Sequence, residues 1–128
     1  MQCYKYKIGY LRGRVLESET KYDEALKMYI DALSYKPAHY ELRKAIGKVY
    51  RLLGDNEKSI KIFKQLLLPD PREGELNLEI AKSYYANGNR NKALEHLKTS
   101  LDVWRNADAA YKPAIETHEK WVKWNQVN

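Results

Sequence analysis

A fixed interval of 34 residues runs through this chain. Gly13, Gly47 and Ala81 stand one interval apart, as do Leu16, Tyr50 and Tyr84, and Ala25, Ser59 and Ala93. Tyr29, Phe63 and Leu97 recur in the same phase, followed by Ala32, Leu66 and Ser100; Gly54 pairs with Gly88 and Pro37 with Pro71. A recurrence of this length marks stacked copies of one supersecondary unit, because a single copy is too small to bury its own apolar face and must lean on its neighbours.

Within each interval the apolar spacing is helical. Residues 5–18 form a first helix in which Gly9 and Gly13 each weaken it by about 1 kcal/mol relative to alanine, a cost that points to another helix passing close by. Thr20 to Tyr22 turn the chain, Asp23 and Glu24 suit the dipole of the next helix, and Pro37 stops it. The second unit repeats the plan over 38–53 and 56–67 around Gly54-Asp55-Asn56, and the third over 73–86 and 90–104 around Asn87-Gly88-Asn89. Leu42, Ile46, Val49, Tyr50 and Leu53, then Ile60, Phe63, Leu66 and Leu67, then Leu76, Ile80, Ala81, Tyr84, Ala93, Leu94, Leu97 and Leu101 are the expected core. A last helix, about 112–125, tolerates Pro113 in its first turn behind an N-cap offered by Asn106-Ala107-Asp108. Ala114, Ile115, His118, Trp121 and Val122 share its expected buried face, and its role is to close the stack with a polar outer surface. Ahead of the first repeat, either Tyr4 and Tyr6 shield the open end or the chain is cut from a longer array.

The stretch KYDEALKMYIDALSYKP resembles the second half of a tetratricopeptide repeat, and IGKVYRLLGDNEKSIKIFKQLLLPDP resembles most of another. The small-residue sites Gly13/Gly47/Ala81 and Ala25/Ser59/Ala93 fall where the paired helices of that family touch, with large residues between them. Departures are Gly9, Arg43 and Asn77 at the first-helix aromatic site, and Leu66 where the second helix usually has alanine. The resemblance implies an all-α fold: a single domain over 1–128, a right-handed superhelix of three helix hairpins (about 5–37, 38–71 and 72–105) plus a capping helix at about 109–125. It also implies an adaptor or scaffold that binds a peptide or helix in a concave groove lined by the first helix of each repeat.

Residues off the buried stripe of those first helices are the candidate groove: Lys7, Tyr10, Leu11 and Arg14, then Lys44, Lys48 and Arg51, then Leu78, Lys82 and Tyr85. Arg14, Lys48 and Lys82 share one slot, one interval apart, and are expected to form a cationic row that attracts acidic side chains or a terminal carboxylate. The alternative is a solvated helix face, and exposed ion pairs of about 0.2–1 kcal/mol would steer a ligand more than tighten it. Relatives that grip the terminal carboxylate of heat-shock chaperones use asparagines where Arg14 and Ala45 stand and an arginine where Glu79 stands, which argues against that ligand. Trp124 sits off the buried stripe of the last helix and is a possible interface residue; Trp121 is expected to be core.

A net charge of +6 favours acidic partners, yet only Tyr10 and Tyr85 offer the exposed aromatic platforms that single-stranded nucleic acid requires, which argues against RNA. Self-association, or docking within a larger protein, is the alternative to peptide binding. His39, His96 and His118 lack ligand-spaced companions, and Cys3 lacks a histidine or aspartate beside it, so no metal, cofactor or catalytic site is expected and the chain reads as a non-enzyme. No apolar run reaches the roughly 18 residues that span a bilayer. With a single cysteine, the expected compartment is the cytoplasm.

Overall fold

The structure, a computed structural model, describes residues 2–126, with side chains from Tyr4 onward; the side chain of Cys3 lies outside the described residues. Seven helices account for the regular structure among them: α1 (Gln2–Ser18), α2 (Tyr22–Tyr35), α3 (Tyr40–Leu52), α4 (Asn56–Leu67), α5 (Gly74–Ala86), α6 (Arg90–Val103) and α7 (Lys112–Trp124). They fall into two compact units, Met1–Ile62 and Phe63–Asn128.

The turns inside the three helix pairs are the same turn. Lys21 N–H donates to Leu16 O at 2.9 Å, Asp55 to Tyr50 at 2.8 Å and Asn89 to Tyr84 at 2.9 Å, each pair one interval from the next. This closure needs a left-handed residue just before the donor, and Gly54 (φ 88°) and Gly88 (φ 84°) supply it. In the first pair the slot holds Thr20 at φ 61°, a β-branched residue in a conformation that such residues rarely adopt. The following position is also weaker there. Asp55 accepts from Lys58 N and Asn89 from Lys92 N at 3.3 and 3.1 Å, whereas Lys21 caps α2 with no side-chain hydrogen bond. Between pairs, His39 Nδ1 accepts from Leu42 N at 3.2 Å and Glu73, one interval later, accepts from Leu76 N at 2.6 Å. That period then breaks: α3 and α5 begin at Tyr40 and Gly74, but α7 begins at Lys112, after a longer loop in which Asp108 accepts from Ala110 N instead of capping the helix. Pro113 lies in the first turn of α7, where its missing N–H costs nothing.

In unit 1, α1 lies against α2 through its glycines. A Cβ on Gly9 would stand 2.7 Å from the Ala32 Cβ, and one on Gly13 would stand 2.3 Å from the Tyr29 ring. Tyr29 is fully buried, and its hydroxyl donates to Glu17 Oε1 at 2.9 Å; burial and that carboxylate push the phenol well above its ordinary pKa. Ala25, Tyr29 and Ala32 of α2 join Leu42, Ala45, Ile46 and Val49 of α3 in one core, with Tyr6, Tyr10 and Tyr50 packed on its edges. Tyr6 is half-buried, 5.0 Å from the His39 ring, while Tyr4 stays exposed; of the two tyrosines expected as a shield, only Tyr6 packs in.

In unit 2, Leu76, Ile80, Ala81 and Tyr84 of α5 meet Ala93 and Leu97 of α6. Ser100 Oγ donates to Gly74 O at 2.8 Å, and Gly74 has no room for a Cβ because the Trp104 indole stands 2.6 Å from that point. On α7 the expected buried stripe is out of phase. Ile115, His118 and Val122 are exposed and Trp121 is half-buried, while Thr117 and Trp124 are buried. Trp124 decides the rotation: its ring stacks on Tyr85 with centroids 4.1 Å apart and an interplanar angle of 6°. Burying one indole face outweighs burying Val122 or Ile115. Arg90 fixes the same end, donating from Nε to Trp124 O at 2.6 Å, a carbonyl the last turn of α7 leaves open, and from Nη2 to Gln126 O at 3.0 Å just beyond the helix.

Two outcomes follow from the turns and from the glycine contact. Restoring the first turn with Thr20→Gly and Lys21→Asp should stabilise the protein by about 1–2 kcal/mol, seen as a rise in Tm of several degrees. Gly13→Ala should destabilise it by about 1–3 kcal/mol despite alanine's higher helix propensity, because the Tyr29 ring occupies the space. A Tm at or above that of the parent for Gly13→Ala would show that α1 is free to shift away from α2.

Candidate functional site

With Gly9 and Gly13 holding one face of α1 against α2, the next face presents Tyr10, Arg14 and Glu17 toward α3. There they border a hollow of about 160 Å³, closed on the other side by Glu41, Lys44, Ala45 and Lys48. Three cations from two helices converge, balanced by two carboxylates. Arg14 donates from Nη1 to the Tyr10 hydroxyl at 3.1 Å and lies 5.8 Å from that ring's centroid; this hydrogen bond, with smaller help from Tyr29 and Glu17, raises the guanidinium pKa further. Glu17 is engaged by Tyr29. Lys44 pairs with Glu41 at 3.5 Å and lies over the Tyr40 ring at 5.3 Å. Lys48 reaches the hollow with no ion-pair or hydrogen-bond partner among the described residues.

The other expected groove residues divide. Lys7 is exposed, 6.0 Å from the centroid of the Tyr6 ring, and Arg51 is half-buried; neither lines this hollow. Leu11 is exposed but borders a different, apolar hollow of about 420 Å³ with Arg12, Val15, Leu16 and Met28. Leu78 is buried and is not available to hold a ligand side chain. Lys82 is taken: its ammonium pairs with Glu79 at 3.2 Å and with Glu116 of α7 at 2.7 Å. Glu116 also draws in Lys120 at 3.6 Å, so the capping helix neutralises the cation that the sequence offered to a ligand. Tyr85 keeps an exposed edge but gives one face to Trp124, and Trp124 itself is buried, not an exposed interface residue. The spacing of Arg14, Lys48 and Lys82 was legible in the sequence; the carboxylate on α7 that answers Lys82 was not, because its position depends on how α7 rotates.

The buried polar groups of unit 2 form a structural network. The Asn77 amide donates to Pro71 O at 3.0 Å and to Glu73 O at 2.8 Å, leaving its Oδ1 facing His96 Nδ1 at 2.9 Å. An amide that spends its N–H groups on carbonyls has only an acceptor left, so the His96 proton sits on Nδ1. His96 also stacks on Tyr84, with centroids 5.5 Å apart. Asn77 thus ties the loop to α6. Among the described residues no group of three or more His, Cys, Asp or Glu is placed to hold a metal ion, and no helix is long and apolar enough to cross a membrane.

Three two-helix units in one phase, followed by a closing helix, define a helical-repeat protein. Residues 16–76 match the family described as Tetratricopeptide repeat, and the seven helices fit three such repeats plus a capping helix. No curated protein matches the chain. Among solved structures, PcrH from Pseudomonas aeruginosa is similar at 15% identity and TM-score 0.81, over 94% of this chain and 92% of that one. The Arabidopsis OM64 TPR domain aligns at 11% identity and TM-score 0.77, over 96% and 98%. The second TPR domain of human RPAP3, in complex with the HSP70 peptide SGPTIEEVD, aligns at 20% identity and TM-score 0.73, over 99% and 98%. At these identities the likeness is one of fold.

Burial lowers the His96 pKa, a shift strengthened by Lys64 and Lys92 and opposed by Glu95. The unfolded chain then binds that proton more readily, so stability is full above the unfolded value of about 6.5 and declines as the pH falls below it. Thermal melts from about pH 7.5 down to about pH 5 should show Tm falling, and His96→Gln should flatten that part of the profile. An unchanged slope in His96→Gln would assign the pH dependence to other groups.

Proposed function

We propose that this chain is a protein-interaction module that takes an acidic peptide segment or a terminal carboxylate at the α1–α3 face, with Arg14, Lys44 and Lys48 as the charge-bearing contacts and Tyr10 beside them. The observation that carries the reading is Lys48: a cation held in a concave site beside two others, with no partner of its own among the described residues. A carboxylate entering the hollow would meet Lys48 first and compete with Glu41 for Lys44. Structural neighbours lend support of a general kind, since RPAP3 and PcrH are both seen holding a partner segment, the latter the chaperone binding region of PopD. Lys7, Leu11 and Arg51 stand outside this contact set; Leu78, Lys82 and Tyr85 are committed to the packing of unit 2. A single domain working as an adaptor in the cytoplasm is the setting proposed for it.

The test is a titration with a synthetic acidic heptapeptide of sequence SEDLEED with a free terminal carboxylate, against its amidated form with every glutamate and aspartate changed to the corresponding amide. The acidic peptide should bind at least tenfold tighter, and Arg14→Glu with Lys48→Glu should remove that preference. Lys82→Glu should leave the preference intact while lowering Tm, because it breaks the tie to Glu116. Equal binding of the two peptides, or a preference unchanged in the double variant, would reject the site.

A further inference from the structure

The side of α1 turned away from α2 is apolar and uncovered. Tyr4, Ile8, Leu11 and Val15 follow one another at steps of four, three and four residues, the spacing of one helix face. They are 59%, 48%, 63% and 59% exposed. Gly9, Gly13 and Tyr6 occupy the opposite side, which rests on α2 and the unit 1 core. The stripe is about 16 Å long at 1.5 Å per residue. Beside it, Leu11 and Val15 border the apolar hollow of about 420 Å³ that Leu16 and Met28 complete. At 100° per residue, Lys5 and Arg12 fall on one flank of the stripe and Lys7 and Arg14 on the other, each roughly 80° from its centre.

Both flanks are therefore cationic, and this selects the occupant. A second copy of the stripe, laid parallel or antiparallel, would bring cations against cations on each side, which opposes self-pairing. A lipid surface would tolerate the charges, but a flat bilayer has nothing to fill a hollow that recedes between α1 and α2, whereas a side chain projecting from a helix does. We propose that the outward face of α1 is a docking surface for an amphipathic helix of a protein partner, one whose apolar stripe is bordered by carboxylates and which seats a large apolar side chain between Leu11, Val15 and Met28. This surface shares only the edge residue Arg14 with the hollow at Lys48 and does not depend on a ligand there.

The probe is a 15-residue helical peptide with leucine along one stripe and glutamate on both flanks, compared with the same peptide carrying lysine on the flanks and with vesicles of phosphatidylserine and phosphatidylcholine. The glutamate peptide should bind and shift the amide resonances of Ile8, Leu11, Val15 and Met28, and the lysine peptide should bind at least tenfold more weakly. Leu11→Glu with Val15→Glu, and separately Lys5→Glu with Arg12→Glu, should each weaken binding at least tenfold. Leu11, Val15, Lys5 and Arg12 are all exposed, so circular dichroism should show both variants folded. Lys48→Glu should have no effect. No binding of the glutamate peptide, equal binding of the two peptides, shifts on α1 driven by vesicles, or a dimer in sedimentation that Leu11→Glu with Val15→Glu dissociates would each overturn the proposal.

Discussion

Everything in unit 1 depends on how closely α1 can approach α2. Two glycines on α1 meet Ala32 and the Tyr29 ring with no space for another carbon. That contact rotates α1 so that Tyr10, Arg14 and Glu17 come to the α3 side and Ile8, Leu11 and Val15 face solvent. A helix that gives up roughly 1 kcal/mol per glycine recovers it only through such packing, so the same two residues set both candidate binding surfaces. Tyr29 binds the arrangement together from beneath, filling the gap and fixing Glu17 through its hydroxyl.

Charge in this protein is plentiful but mostly answered. Lys82 is shared between Glu79 and Glu116, Lys44 leans on Glu41, and Lys58 pairs with Asp55 at the second turn. The pair at the second turn is exposed and of small individual worth, whereas Glu79 is buried beside Lys82; in each case the pairing decides which cations remain available. The formal charge of +6 says nothing about that distribution. Lys48 and the flanks of α1 are where positive charge meets open, concave or apolar surface.

Much of this architecture could be read from residue spacing. The helix bounds agree to within a few residues, and the small sites at Gly13, Ala25, Ala81 and Ala93 lie where the paired helices touch. The period also carried a detail visible only with backbone angles: Thr20 occupies the slot of Gly54 and Gly88 and is forced into their conformation. Inside the repeats, Leu53, expected in the core, is exposed and Leu78, expected in the groove, is buried; a whole face is misplaced only where the period stops. On α7 the stripe of Ala114, Ile115, His118 and Val122 is a sound amphipathic face, but no second copy existed to check its phase, and the Trp124–Tyr85 stack turned the helix another way.

What the residues determined alone was the repeating unit: small against large at fixed spacing, a turn inside each helix pair, and prolines at the ends of the first two units. These are local demands, and each copy restates them, so they survive without knowledge of the partner surfaces. Which cation stays open, which tryptophan is buried and which apolar stripe stays uncovered were decided only in three dimensions. Those outcomes depend on what lies opposite a side chain. For Lys82 that is Glu116, 34 residues further on, and for Tyr85 it is Trp124, 39 residues further on, both on a helix whose rotation no repeat constrained.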